Sequence, residues 1–541
     1  MAVFRGWQAR AFGLAMLCAA CSQTGAESAS SAGGSGAAVG ATAGASTNAG
    51  AGSATGGAAG SAGAVASGGA GTAGATTTSA GTGGDGALGG AGGGSAGGSS
   101  AGGSSAGGGG TGGAAPAPGV VKNAEVKLSD AGLALVSYGG YLNGESFQQD
   151  GILTHKGYQY TAFWNTARHV VLARRALPDG AWARVELTDY TNTESDAHNT
   201  ISLGVTEADG TLHVAFDHHG SPLHYRKSHT GLLSDPANAS WSAASFDATT
   251  GSLVSGVNVT ELTYPRFVSE PGGEKTLLSA RIGASGSGDE YLWEYSATTH
   301  AWASLGKYVD GIGDNINAYL HGLAYGPGST RLHAAWCWRD TSDAATNHDL
   351  LYVYSDDNGR TWRNNSGANA GSTGSSAIHA SSAGISVWSI GQKRGLINQE
   401  HMLVDAAGRV HVLLSHMPDA QADDANFDSA RGKSQAFHYW RDLDGKWART
   451  SLGLPVVAAF RGKLAVSSHG NLYAILPDLR IAAASPSSRF ETWSLLEQTD
   501  QGRFFSDPLI DSSRLLLEDK LSVVAAQKAS SNLYVLDYTL Q

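Results

Sequence analysis

From about Val120 onward the chain breaks into short runs of alternating or continuous apolar residues, each bounded by Gly, Asp or Asn. GTLHVAFD (210–217), TRLHAAWCW (330–338), GRVHVLLS (408–415), GNLYAILP (470–477) and SNLYVLDY (531–538) share one order: a turn residue, Leu or Val, a His or Tyr, then apolar positions. A second theme sets a turn before Trp and polar residues, in PDGAWARVEL (178–187) and DLDGKWARTSL (442–452). Runs of this length and period between turn signals predict strands. No long stretch sustains a helical period, so the region reads as all-β. Weak self-similarity spread over about 420 residues predicts a β-propeller. At roughly 45–60 residues per repeat the count is about seven to nine blades. SDDNGRTW (355–362) adds a complete Asp-box of the form S-x-D-x-G-x-T-W. Its Asp can bond turn amides while its Trp packs beneath.

The N-terminal part follows a different rule. Arg5 and Arg10 precede the apolar stretch Ala11–Ala20, which is followed by Cys21. This is the pattern of a secretory signal, too short for an ordinary spanning helix. Ala19-Ala20-Cys21 resembles a bacterial lipobox, departing from it at Cys18. Residues after it up to about 115 are almost entirely Gly, Ala, Ser and Thr. Such a segment has too little apolar surface to offset the entropy of ordering, and reads as a disordered tether. The expected organisation is a signal segment (1–21), a linker (22–118) and a folded domain (119–541). The expected location is extracytoplasmic, lipid-anchored through Cys21 to a bacterial cell envelope, or otherwise secreted. Contact with a membrane is expected only through that anchor. The formal charge of −11 and pI near 5.9 argue against nucleic-acid binding by bulk charge. The folded region keeps one cysteine, Cys337, so it has no internal disulfide.

Titratable side chains gather at predicted strand ends. DAHNTISLG (196–204) places His198 and Asn199 before a strand, and VAFDHHG (214–220) places Asp217, His218 and His219 after the next one. Histidine suits proton transfer near neutral pH. The plainer reading is that one of the adjacent pair caps a strand end and the other is simply exposed. Tyr264 in ELTYPRF, Arg281 in SARIGASGSGD, and Tyr319 and His321 in AYLHGLAY occupy comparable positions. A guanidinium at such a site can clamp a carboxylate.

The strings YTAFWNTARHVVLARR (160–175), HNTISLG, GTLHVAFDHHGSPLHYRKS, TYPRF, RIGASGSGD, YLHGLAYGPGSTRLHAAWCWRD and INQEHMLVDAAGRVHVL together resemble the BNR-repeat family. Within it they are most similar to the seven-bladed propeller lyases that cleave the polysaccharide ulvan. The resemblance implies β-elimination beside a uronic acid, with an acidic polysaccharide as partner. It implies Arg281 as the group neutralising the carboxylate, and His198 and Tyr264 as base and acid in an order left open. It implies that His219 and Tyr319 orient the sugar and that Asn199 helps hold the carboxylate. His218 is the alternative to His219, and Trp164, Asn165 and Arg168 are expected on the binding rim. It further implies a structural zinc drawn from Cys337, His348, His401 and His333, and no organic cofactor. His333 and Cys337 are four positions apart, about 13 Å along a regular strand, so one ion needs a bulge or a different fourth ligand such as His321. Two other functions fit the composition: a sialidase-like hydrolase, and a tethered glycan-binding propeller without chemistry.

Overall fold

A computed structural model of the chain describes residues 116–541, apart from 139, 146, 148–149, 457–459 and 505–506. The export segment and most of the expected linker lie outside the described residues.

The predicted alternation becomes antiparallel ladders. Ile152–His155, Tyr158–Trp164, Val170–Ala176 and Ala183–Leu187 form one four-stranded meander. His401–Val404, Val410–His416, Gln435–Arg441 and Trp447–Pro455 form another, and Lys463–Val466 through Ser494–Glu497 a third. The two sequence themes recur at set places in most of the units, the exception being 531–538, which is a third strand. The His/Tyr runs at 211–216, 410–416 and 472–475 are second strands, whereas the Trp-Ala-Arg runs end on the edge strands Ala183–Leu187 and Trp447–Pro455. A single parallel pairing, Gly288↔Asn317, joins the unit starting at Leu262–Ser269 to the unit starting at Asn317–Tyr325, giving one eleven-stranded sheet. The ring is shut by Val120–Ser129, which pairs with Leu533–Leu540 beside Lys520–Ala526. The architecture is a β-propeller, as the repeat pattern predicts.

The first strands of the units, with the helix Ser512–Glu518, surround a common cavity of about 630 Å³. Strands crowd as they approach this axis. A Cβ at Gly204 would lie 2.5 Å from Phe267, and one at Gly322 would lie 2.5 Å from Met402. The apolar core fills the spaces between neighbouring sheets, where Trp164, Leu203, Val214 and Phe216 pack together in one cluster. Each such side chain contributes about 1.5–3 kcal/mol on burial.

The Asp-box is built as its sequence predicts. Asp357 accepts hydrogen bonds from the Thr361 amide at 2.8 Å and the Thr361 hydroxyl at 2.7 Å, and Gly359 turns with φ +80°. Trp362 is wholly buried, donates its indole N–H to Thr373 at 3.0 Å and stacks on Tyr308. Trp362→Ala is expected to destabilise the fold by about 3–5 kcal/mol, measured as a loss in denaturant midpoint.

Buried titratable groups give stability a pH dependence. Desolvation holds the imidazoles of His213, His321 and His333 down to about 3 and that of His416 to about 4. Unfolded, they take protons below about 6.5. Their contribution is complete above that pH and is lost as pH falls toward 4. Desolvation raises Glu290 to about 8 and Glu400 to about 7 from 4.5, so their contribution is complete below 4.5 and lost as pH rises. The histidines outnumber the acids. The thermal midpoint is expected to fall as pH is lowered from about 6.5 to 4, read by melts across that range.

Candidate active site

Asp196 organises one wall of the site. It stands at the turn before the strand Ile201–Thr206, where its Oδ1 accepts the backbone N–H of His198 at 2.8 Å. The same oxygen lies 2.6 Å from His198 Nδ1, and Oδ2 lies 2.6 Å from Nδ1 of His219. His219 is brought there by the short strand His219–Ser221, whose pairing sets it opposite Thr263. The imidazoles stack with centroids 3.9 Å apart, and Phe147 covers the far face of His198 at 4.7 Å. Burial alone would raise the Asp196 carboxyl, but hydrogen bonds from both imidazoles hold it far below the usual range. A carboxylate accepting at both Nδ1 atoms fixes both rings in the tautomer that leaves Nε2 as the base. Burial, followed by repulsion from His198, lowers His219, while Asp196 opposes the shift.

The second wall comes from three neighbouring strands. Between Thr263 and Arg266 the ladder of Leu262–Ser269 is interrupted, and Tyr264 there adopts φ +59° just before Pro265. That conformation is rare for a bulky residue and costs on the order of 1–3 kcal/mol. It places the Tyr264 ring 5.9 Å from His198 and 5.0 Å from the Arg281 guanidinium. Arg281 donates to Thr263 Oγ1 at 2.9 Å and to the Tyr319 hydroxyl at 3.3 Å. It keeps only 2% of its surface exposed, and among the described residues no carboxylate oxygen lies within 4.0 Å of it. The acid opposite it in register, Glu290, is pushed up to about 8 by burial against the pull of Arg281 and Arg266. A buried cation without a counter-ion can neutralise a carboxylate on an incoming molecule, in a medium that screens it weakly. Arg339 flanks it, 4.2 Å over the Tyr319 ring and donating to the Tyr319 hydroxyl at 3.1 Å.

A family profile described as "BNR repeat-containing family member" matches residues 158–453. The chain belongs to this family. The matched span contains every group in both walls except Phe147. Among curated relatives of this BNR-repeat chain is the long isoform of ulvan lyase from Pseudoalteromonas sp. (strain PLSV). It is 26% identical over 265 residues, covering 40% of this chain and 26% of the relative. The corresponding enzyme of Alteromonas sp. (strain LOR) is 25% identical over 265 residues with the same coverage. The chain thus matches about a quarter of the length of these relatives. In backbone it is similar to the polysaccharide lyase Uly1, with a TM-score of 0.60 at 17% identity over 77% of this chain and 99% of that one. It is also similar to a PL25 ulvan lyase bound to -[GlcA(1-4)Rha3S]-, with a TM-score of 0.56 at 13% identity over 76% and 95%.

The structure brings His198, His219, Tyr264, Arg281 and Tyr319 together, but not every rim residue expected from the sequence. Tyr319 is fully buried, and its hydroxyl meets Arg281, Arg339 and Ser285 rather than open space, so it orients cations instead of a sugar. His218 turns away from the site: its Nε2 accepts the His224 N–H at 2.9 Å. Asn199 is buried and donates to Asp217, so it does not face a carboxylate in the cleft. Trp164 is not on the rim either. It is wholly buried and donates to the Asn199 carbonyl at 2.7 Å, supporting the loop that carries His198. Asn165 and Arg168 are half-buried at the turn behind that loop, bonded to Glu186 and to the Glu194 carbonyl. Sequence reading missed Asp196, Phe147 and Arg339. An Asp two residues before a His is a signal for the first, because that spacing closes an Asx turn. No local signal marks the other two.

The residues expected to hold zinc do not fit one. His348 lies between Asp340 at 3.0 Å and Asp349 at 3.1 Å, one on each nitrogen. His333 bonds the Tyr352 hydroxyl at 2.8 Å, and Nδ1 of His401 accepts the Leu464 N–H at 2.9 Å. Cys337 is buried, with its thiol pushed up to about 12 by desolvation. Each found a local partner instead of a common centre. Among the described residues, the set of His, Cys, Asp and Glu donors close enough for one ion is Asp196, His198 and His219. There both Nδ1 atoms are already engaged with the carboxylate.

Proposed function

We propose that this chain is a polysaccharide lyase that cleaves a uronate-containing, ulvan-like polymer by β-elimination. The observation that carries this reading is the buried, uncompensated Arg281 guanidinium facing Tyr264 and the Asp196-linked imidazole pair. Ulvan lyases among its relatives support the substrate class. In the proposed reaction Arg281 neutralises the uronate carboxylate, which makes the C5 proton removable. One of His198 and Tyr264 takes that proton, the C–H electrons form the C4–C5 double bond, and the C4–O bond breaks. The other group protonates the leaving oxygen. His219 aligns the sugar and shares Asp196 with His198. Export and a lipid anchor at Cys21 belong to the same proposal, as does a count of seven blades with the eleven-stranded sheet divided in two.

The test is near-ultraviolet absorbance of an unsaturated uronate while the full chain acts on ulvan and other uronate polymers. A rise that is lost in both His198→Ala and Tyr264→Phe supports elimination at this site. New reducing ends without absorbance would make the chain a hydrolase. Binding without either product would make it a glycan-binding propeller.

A further inference from the structure

Two residues below the active site, the inner strands carry a second set of polar groups. Tyr264 is followed two residues on by Arg266, and Tyr319 by His321. Arg266, His321 and His401 line the axial cavity, with Lys463 beside them and electrostatically coupled to both Arg266 and His401. Arg266 and Lys463 keep 5% and 4% of their surface exposed. The carboxylates on the cavity wall are Asp150 and Glu207. Among the described residues neither these nor any other acid comes within 4.0 Å of Arg266 or Lys463.

The histidines add donors, not acceptors. Nδ1 of His321 accepts the Glu400 N–H at 3.2 Å, and Nδ1 of His401 accepts the Leu464 N–H at 2.9 Å. A neutral imidazole that accepts at Nδ1 carries its proton on Nε2. Burial, then the nearby cations, keeps both rings neutral, with His321 down at about 3. Nε2–H of His321 is buried with no partner. This end of the cavity therefore presents a guanidinium with one bond to the Leu320 carbonyl, the Lys463 amine, which burial and then Arg266 bring down to about 7, and two imidazole N–H groups. Asp507 and Asp150 act on Lys463, and Asp150 and Glu290 on Arg266, all from beyond ion-pair distance, so the donors at this end of the cavity stay unfilled.

We propose that this end of the axial cavity binds a small inorganic oxyanion of the sulfate or phosphate class, held by Arg266, Lys463, His321 and His401. A tetrahedral oxyanion supplies several acceptors and a compensating charge at one point, which is what a convergent donor set lacks. Bound beneath Tyr264 and Tyr319, it would stiffen the strands that carry them. The site is independent of the reaction proposed above, and its test does not use activity.

Thermal unfolding of the full chain is measured as chloride is exchanged for sulfate at constant ionic strength. The expected rise for the wild type is on the order of 3 °C. It should disappear in Lys463→Met and in His321→Phe, two variants chosen so that failure of one to fold leaves the other. Crystals soaked in selenate should show an anomalous peak between Arg266 and His321. Equal rises in wild type and variants would mean a general salt effect and overturn the site. So would an equal stabilisation by chloride, or a selenate soak with no peak in the cavity.

Discussion

Replacing Arg281 with Met is expected to lower kcat/KM on a uronate polymer by about 10²–10³-fold, the usual cost of removing a preorganised electrostatic contact to the transition state. The loss should fall on kcat more than on KM, because charge at the uronate builds up as the C5 proton leaves. Arg281→Lys should recover only part of it. An ammonium cannot bond Thr263 and the Tyr319 hydroxyl together as the guanidinium does, and so loses its fixed direction. Stability gives the control. Arg281 is buried without a carboxylate partner, so its removal relieves a desolvated charge, and the unfolding midpoint should hold or rise. A large fall in midpoint alongside the lost activity would mean that Arg281 is structural.

The second large effect is expected at Asp196. Asp196→Asn keeps the shape but exchanges an acceptor for an amide N–H facing one imidazole. That ring must then accept at Nδ1 and carry its proton on Nε2, the tautomer that cannot act as a base. Loss of a carboxylate in this position costs about 10²–10⁴-fold where it orients a catalytic histidine. The pH profile separates this from a packing defect. Asp196 opposes the burial that lowers His219, so without it that imidazole protonates only at lower pH. The acid limb of kcat/KM should therefore move to lower pH in Asp196→Asn. An unmoved limb with a small loss of rate would leave Asp196 as a turn residue.

Much of the propeller was legible because strand and turn signals are local. Four of the five His/Tyr runs became second strands and the Trp-Ala-Arg runs led into edge strands, and SDDNGRTW formed the predicted turn. The site was legible only as far as strand ends are. His198, Tyr264 and Arg281 converge because their strands neighbour one another in the ring. The choice between His218 and His219 depends on a register, His219 opposite Thr263, which adjacent identical residues do not reveal. Trp164 looked like a rim residue beside a polar turn, yet it is the last residue of a strand buried through that end. The zinc set failed for a related reason: chemical type says what a residue can bind, not which partner reaches it first.

The strand that shuts the ring comes from the opposite end of the described chain. Thr539 donates a hydrogen bond to Asn123 across a sequence separation of 416. During synthesis Val120–Ser129 has no sheet to join until Leu533–Leu540 has been made. An unpaired strand edge invites partnering with other chains. The Lys122, Glu125 and Lys127 side chains punctuate Val120–Ser129, and charges of this kind keep such an edge from pairing with the wrong neighbour while it waits. The latch that shuts the ring is thus also an edge left open during biogenesis, and charge on that strand serves assembly before it serves the finished fold.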